Sequence, residues 1–134
     1  MKKTRKDWGV GPLARLLGIR RKSMAKGRCC FTLRVRREHM NPHGVVHGGV
    51  VYSLVDYAMG GALTSRLEPG ERCATLEVKI NYLAPVSEGT LRAEARVVER
   101  TKRIGVLEGR VHDHRDQLVA LATGSFYIQN SPSP

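Results

Sequence analysis

Residues 41–61, NPHGVVHGGVVYSLVDYAMGG, decide how the chain is read. The stretch opens with turn residues, passes through the paired Gly48 and Gly49, and runs on as an apolar segment whose single charge is Asp56. Val51, Leu54, Val55, Ala58 and Ala62 recur at three- and four-residue spacings, which is one stripe of a helix. This spacing predicts a helix that starts near Gly48 and ends between Arg66 and Gly70. Two glycines at a helix start leave backbone N–H groups uncovered at the end that carries partial positive charge, a place able to hold a developing oxyanion. Asp56 follows two turns later. A carboxylate on a mostly apolar helix is costly to bury and has to be ionised, paired or used.

The sequence on either side changes period. Residues 12–19, PLARLLGI, predict a short helix with Pro12 at its first position and Leu13, Leu16 and Leu17 on one side. Over residues 29–37, Phe31, Leu33 and Val35 alternate with polar neighbours, as in a strand with one wet face. Four more strand-like runs follow, at 74–83, 91–99, 104–112 and 118–128. In the first, Leu76, Val78, Ile80 and Tyr82 share a face opposite Thr75, Glu77, Lys79 and Asn81. The links PVSEG, TKR and DHRDQ are short enough for antiparallel meanders. A strand, a long helix and then four strands make an α+β layout, with one helix covering the apolar face of one curved sheet.

Composition bounds the rest. With 134 residues and 41% hydrophobic content, the chain has one domain's worth of core. Its net charge is +11. Residues 1–28 hold ten Lys and Arg against Asp7 alone, so most of the surplus lies in a basic N-terminal arm in which Trp8 is the one possible anchor. Such a surplus points to a polyanionic partner: nucleic acid, an anionic membrane surface or a phosphate-bearing small molecule. No window reaches the length of a membrane span, and the basic start lacks the apolar core of a secretory signal. Cys29, Cys30 and Cys73 show neither disulfide-framework nor zinc spacing, which suits a reducing cytoplasm. The domain reading is a basic arm with a short helix over 1–28, a folded domain over 29–130 and a Ser-Pro tail at 131–134.

Asn41, His47-Gly48-Gly49 and Asp56, followed by TLEVKINYLAP over residues 75–85, resemble the hot-dog-fold acyl-CoA thioesterases of the phenylacetate-degradation type. His-Gly-Gly by itself is a weak match. An acidic residue eight positions after its first glycine, with a T-x-x-x-x-x-N-Y-x-x-P strand behind it, makes the pattern specific. The similarity spans about residues 29–128 and leaves the arm outside. It implies a curved antiparallel sheet wrapped around one long central helix, dimers that join two sheets edge to edge, and commonly homotetramers. It also implies hydrolysis of an aryl- or medium-chain acyl-CoA to free acid and coenzyme A, without a cofactor.

Carried over residue by residue, the resemblance gives Asp56 the role of catalytic base or nucleophile and Gly48 that of the N–H polarising the thioester carbonyl. Asn41 positions substrate or water, Thr75 lies near the carboxylate, and His47 orients the loop. Gly49, Tyr52 and Met59 are expected beside the substrate, and Arg100, Lys102 and Arg103 at the phosphates of coenzyme A. Plainer readings stand beside these. Asp56 could cap a neighbouring segment, the glycines could permit a tight turn, and Asn41 could serve the turn before Pro42. Thr75 could be there for the sheet, the three cations for solvation, and Cys73 for the core. His43 with His47, or His112 with His114, makes no full metal-ligand set.

A helix rises 1.5 Å per residue, so Gly48 and Asp56 lie roughly 12 Å apart along its axis and cannot touch one carbonyl group together. The chemistry therefore calls for Asp56 of one subunit facing Gly48 of another across a two-fold interface. A second class of function remains: a non-catalytic acyl-CoA-sensing or nucleic-acid-binding module using the basic arm, although the arm carries no recognisable nucleic-acid motif. A hydratase or dehydratase on the same fold would rely on His47.

Overall fold

The computed structural model describes residues 11–130. Residues 1–10 of the expected arm, Trp8 among them, and the tail at 131–134 lie outside the described residues. Within them the elements run α1 (Pro12–Leu17), β1 (Ile19–Ala25), β2 (Arg28–Arg34), α2 (Gly48–Thr64), β3 (Glu71–Tyr82), β4 (Thr90–Arg100), β5 (Ile104–His112) and β6 (Leu118–Asn130). The strands form one six-stranded sheet in the order β1-β2-β4-β5-β6-β3, antiparallel throughout. The sheet packs around α2 in the hot-dog arrangement, and the α+β expectation holds.

Helix α2 is apolar on more than one side because the sheet curves around it. Eleven of its 17 residues are buried, among them the whole expected stripe of Val51, Leu54, Val55, Ala58 and Ala62. Small residues let the helix approach closely. Gly109 pairs with Ala95 on one side and Ala122 on the other, so one row across three strands carries almost no side chain. A Cβ on Gly109 would lie 2.6 Å from Val55 Cγ2, and one on Gly105 would lie 2.7 Å from Leu63 Cδ2. The helix ends at Thr64, short of the expected 66–70, because Ser65 caps it: its hydroxyl donates to Ala62 O at 2.7 Å and accepts from Gly27 N–H at 2.8 Å.

Four sequence expectations are corrected. Residues 19–25, read as part of the arm, form the edge strand β1, so the sheet extends N-terminal to residue 29. Polar and basic residues hid it, since an edge strand with one wet face needs only Ile19 and Met24 to reach the core. The four later strands are not one meander: β4, β5 and β6 are, but β3 sits beyond β6 at the opposite edge from β1. In α1 the buried residue is Ala14, while Leu13 is 49% and Leu16 72% exposed, so the leucines do not form a core face. Leu76 is 59% exposed, because a bulge between Thr75 and Glu77 takes it out of the ladder.

Replacing Gly109 by Val should cost about 1–3 kcal/mol, the range for forcing extra volume into a packed core, because Val55 is stiff and fully buried. Urea unfolding of the variant checks this; an unchanged midpoint would mean that the helix can move away from the sheet without loss.

Candidate active site

The loop before α2 folds on its own side chains. Asn41 Oδ1 accepts the N–H groups of His43 at 2.9 Å and Val45 at 3.3 Å, so this amide holds a turn. His47 is the N-cap of α2, its Nδ1 accepting the Gly49 N–H at 2.8 Å. Two of the early helical N–H groups, those of Val50 and Val51, go to His47 O. Among the described residues none accepts from the Gly48 N–H, the first of the helix.

Tyr82, at the end of β3, covers this corner. Its hydroxyl donates to Gly48 O at 2.7 Å, and its ring leaves only 3.0 Å to where a Cβ on Gly48 would stand. Glycine at 48 therefore makes room for the Tyr82 ring, and no positive φ is involved. Gly48, Val51, Tyr82, Pro85 and Val86 border a cavity of about 440 Å³.

Two turns along α2, half-buried Asp56 accepts the Thr75 hydroxyl at 2.9 Å. Burial pushes its carboxyl above the ordinary Asp value, and the Thr75 bond pulls it partly back. A second cavity of about 430 Å³ opens here, bordered by Leu13, Tyr52, Asp56, Tyr57, Thr75 and Phe126. Cys73 shares this lining, but burial raises its thiol pKa, which leaves it a weak nucleophile. Among the described residues no group of three or more His, Cys, Asp and Glu is placed to hold a metal ion. Nor is any helix among them long and apolar enough to cross a membrane.

Of the sequence-predicted residues, the fold brings Asp56, Thr75 and Tyr52 to one cavity and Gly48 to another, with His47 and Gly49 tied to each other beside it. Met59, expected beside the substrate, is fully buried and packs against Gly109 and Gly124 because it faces the sheet. Arg100, Lys102 and Arg103 border neither cavity. Arg100 instead forks onto Glu71 at 3.0 and 3.2 Å, holding the Glu71 carboxyl below its usual range, and Arg103 donates to Tyr127 Oη at 3.4 Å.

The profile of the thioesterase superfamily matches residues 43–120, more than half of the chain. The chain belongs to the thioesterase superfamily. Its similarity to the acyl-coenzyme A thioesterase PaaI of Escherichia coli is 33% identity over 112 residues, covering 83% of this chain and 78% of that one. The solved structure of E. coli PaaI, from the phenylacetic acid degradation operon, superposes with a TM-score of 0.83 at 28% identity, covering 90% of this chain and 86% of that one. A 1,4-dihydroxy-2-naphthoyl-CoA hydrolase of Listeria monocytogenes is 29% identical, over 82% of this chain and 89% of that one. A conserved protein of Pseudomonas aeruginosa gives a TM-score of 0.89 at 33% identity, over 95% and 100%. The expected family, the phenylacetate-degradation type of hot-dog thioesterase, is thus the family found.

A thioesterase needs an oxyanion site and a group that activates water. The Gly48 N–H and the Asp56 carboxylate lie on one helix but border separate cavities. The sequence reading missed Tyr82 as a site residue, assigning it to a core face although it stands in the N-Y-x-x-P motif and is 51% exposed. Replacing Tyr82 by Phe should lower stability by about 1 kcal/mol, the net worth of one hydrogen bond. Urea titration measures it, and an unaltered midpoint would show that water replaces the Gly48 carbonyl contact without loss.

Proposed function

We propose that the protein hydrolyses an aryl- or medium-chain acyl thioester of coenzyme A at a site made by two copies of the chain. The observation that carries the reading is the half-buried Asp56 carboxylate, held by Thr75 at 2.9 Å beside an aromatic-lined cavity. The relatives that act on acyl-coenzyme A and on a naphthoyl-CoA support the substrate class. Tyr52, Tyr57 and Phe126 around the cavity favour a flat or apolar acyl group.

Gly48 and Asp56 lie roughly 12 Å apart along α2, so each thioester carbonyl is served by Gly48 of one copy and Asp56 of a second. Asp56 takes a proton from water, and the hydroxide adds to the carbonyl carbon. The oxygen's developing charge is met by the Gly48 N–H at the positive end of the helix. Collapse breaks the C–S bond, the coenzyme A thiolate takes the proton held by Asp56 and so restores the carboxylate, and the free acid departs. A raised pKa makes Asp56 a stronger base than an exposed aspartate, which favours water activation over direct attack. Lys102 and Arg103 are the proposed contacts for the coenzyme A phosphates, since the Arg100 charge is already matched by Glu71.

Release of coenzyme A from a panel of aryl- and fatty-acyl thioesters should fall about a hundredfold or more in Asp56→Asn with the fold and oligomer intact. Hydrolysis at the wild-type rate by this variant would sink the assignment, and an active monomer would sink the shared site. Because the base works only when ionised, kcat/KM should decline as pH falls through the raised Asp56 pKa, so its acid limb lies above the range of an exposed Asp. Thr75→Val removes a bond that favours the charged form, and the limb should move to still higher pH. An acid limb that stays put in this variant would separate Asp56 from the titration.

A further inference from the structure

We propose that Leu13, carried by α1, is the outer wall of the acyl cavity beside Asp56 and selects acyl groups by length. The cavity's other walls belong to α2, β3 and β6, through Tyr52, Tyr57, Thr75 and Phe126; among the described residues Leu13 is its one side chain from outside them. The residue is a leucine that is 49% exposed on a helix whose buried contact is Ala14, so the core does not account for it. A side chain at the outer end limits how much of an acyl chain the cavity encloses, and methylenes left outside gain no burial energy, so the size of this wall sets the length that binds best.

A wall selects only if it stays in place, and α1 is held at three points despite its six residues. Gly18 takes the left-handed conformation at φ 78° and returns its N–H to the helix carbonyls. Arg36 Nη2 donates to Leu16 O at 2.8 Å. His39, only 1% exposed, has its Nδ1 occupied by the Arg36 N–H at 2.9 Å, so Nε2 carries the proton and donates to Leu17 O at 2.7 Å. The carbonyl of His39 also accepts the His47 N–H at 2.8 Å. One buried residue thus ties the helix bearing Leu13 to the turn bearing Gly48.

The inference rests on the thioesterase reading for the identity of the guest, and the test keeps the two apart. Leu13→Ala keeps a strong helix former at a position outside the core, so the fold is retained; Leu13→Phe narrows the same opening. Two readouts are taken on wild type and both variants: hydrolysis of hexanoyl-, dodecanoyl- and phenylacetyl-CoA, and calorimetric binding of the matching non-hydrolysable thioethers. Leu13→Ala should shift preference toward the dodecanoyl ligand by about tenfold relative to hexanoyl, and Leu13→Phe should shift it the other way, as expected for a few methylenes against an apolar wall. If binding preference shifts while no thioester is cleaved by any form, the wall stands and the hydrolase reading falls. If wild type cleaves the thioesters and preference is the same in all three, the wall falls and the hydrolase reading stands. Unchanged preference with an altered sedimentation coefficient would make Leu13 an interface residue, and failure of wild type to bind any thioether would overturn the proposal.

Discussion

The close seating of α2 on the sheet is the constraint from which the other features follow. A helix buried on most of its surface cannot be covered by a flat sheet, so the strands must curve and the side chains beneath the helix must shrink. The row Ala95, Gly109 and Ala122 supplies the shrinkage. Irregularities in the register supply curvature: β1 shifts between Arg21 and Ser23, β3 between Thr75 and Glu77, and β4 between Val97 and Glu99. Each takes one residue out of the ladder and bends the strand. Val98 at 47% and Leu76 at 59% exposure are the apolar residues thrown outward by two of them.

The β3 bulge also makes the site. Before it, Cys73 and Thr75 face the helix, Thr75 pairing with buried Phe126 and bonding Asp56. After it, Val78, Ile80 and Tyr82 face the same way, Val78 opposite Gly124, on which Met59 packs. Strict alternation would put Thr75 on the side away from Val78 and Tyr82. One extra residue allows a single strand to present the hydroxyl that holds Asp56 and, seven residues later, the phenol that holds the Gly48 carbonyl. The two cavities are thereby fixed to one helix and one strand.

This explains which parts could be read from the sequence. The helix start at Gly48, its buried stripe and the strands β4, β5 and β6 follow from period alone, because their neighbours are the ones that period assumes. The sequence alternation put Thr75 opposite Tyr82, while the family motif put Thr75 near Asp56; the two conflict until the bulge is known. β1 was lost because its inward residues are few, and with it went the meaning of α1, which buried Ala14 and the His39 and Arg36 contacts hold over the cavity. Sequence spacing carries no record of such contacts between distant segments. Arg100 shows the same gap: as a turn cation it read as a phosphate ligand, but Glu71, 29 residues earlier, occupies its fork.

Two of the perturbed carboxylates, Glu71 and Asp56, differ in what they ask of the fold. Glu71 is held below its ordinary value by Arg100, so its contribution to stability is present above its unfolded pKa and is lost as pH falls through the folded one. Asp56 is raised chiefly by burial, so the folded state prefers its acid form; that contribution is full below the unfolded pKa and is lost as pH rises through the folded one. Ionised, Asp56 is therefore a charge that the native state would hold more readily as a neutral acid. Among the described residues no cation is placed against Asp56 to relieve this, and the compensation comes from a neutral hydroxyl, Thr75. An Arg or Lys there would stabilise the charge and weaken the base by the same interaction. A hydroxyl holds the carboxylate in position and lowers its pKa without reversing the effect of burial, which is the compromise that the proposed proton-abstracting role of Asp56 requires.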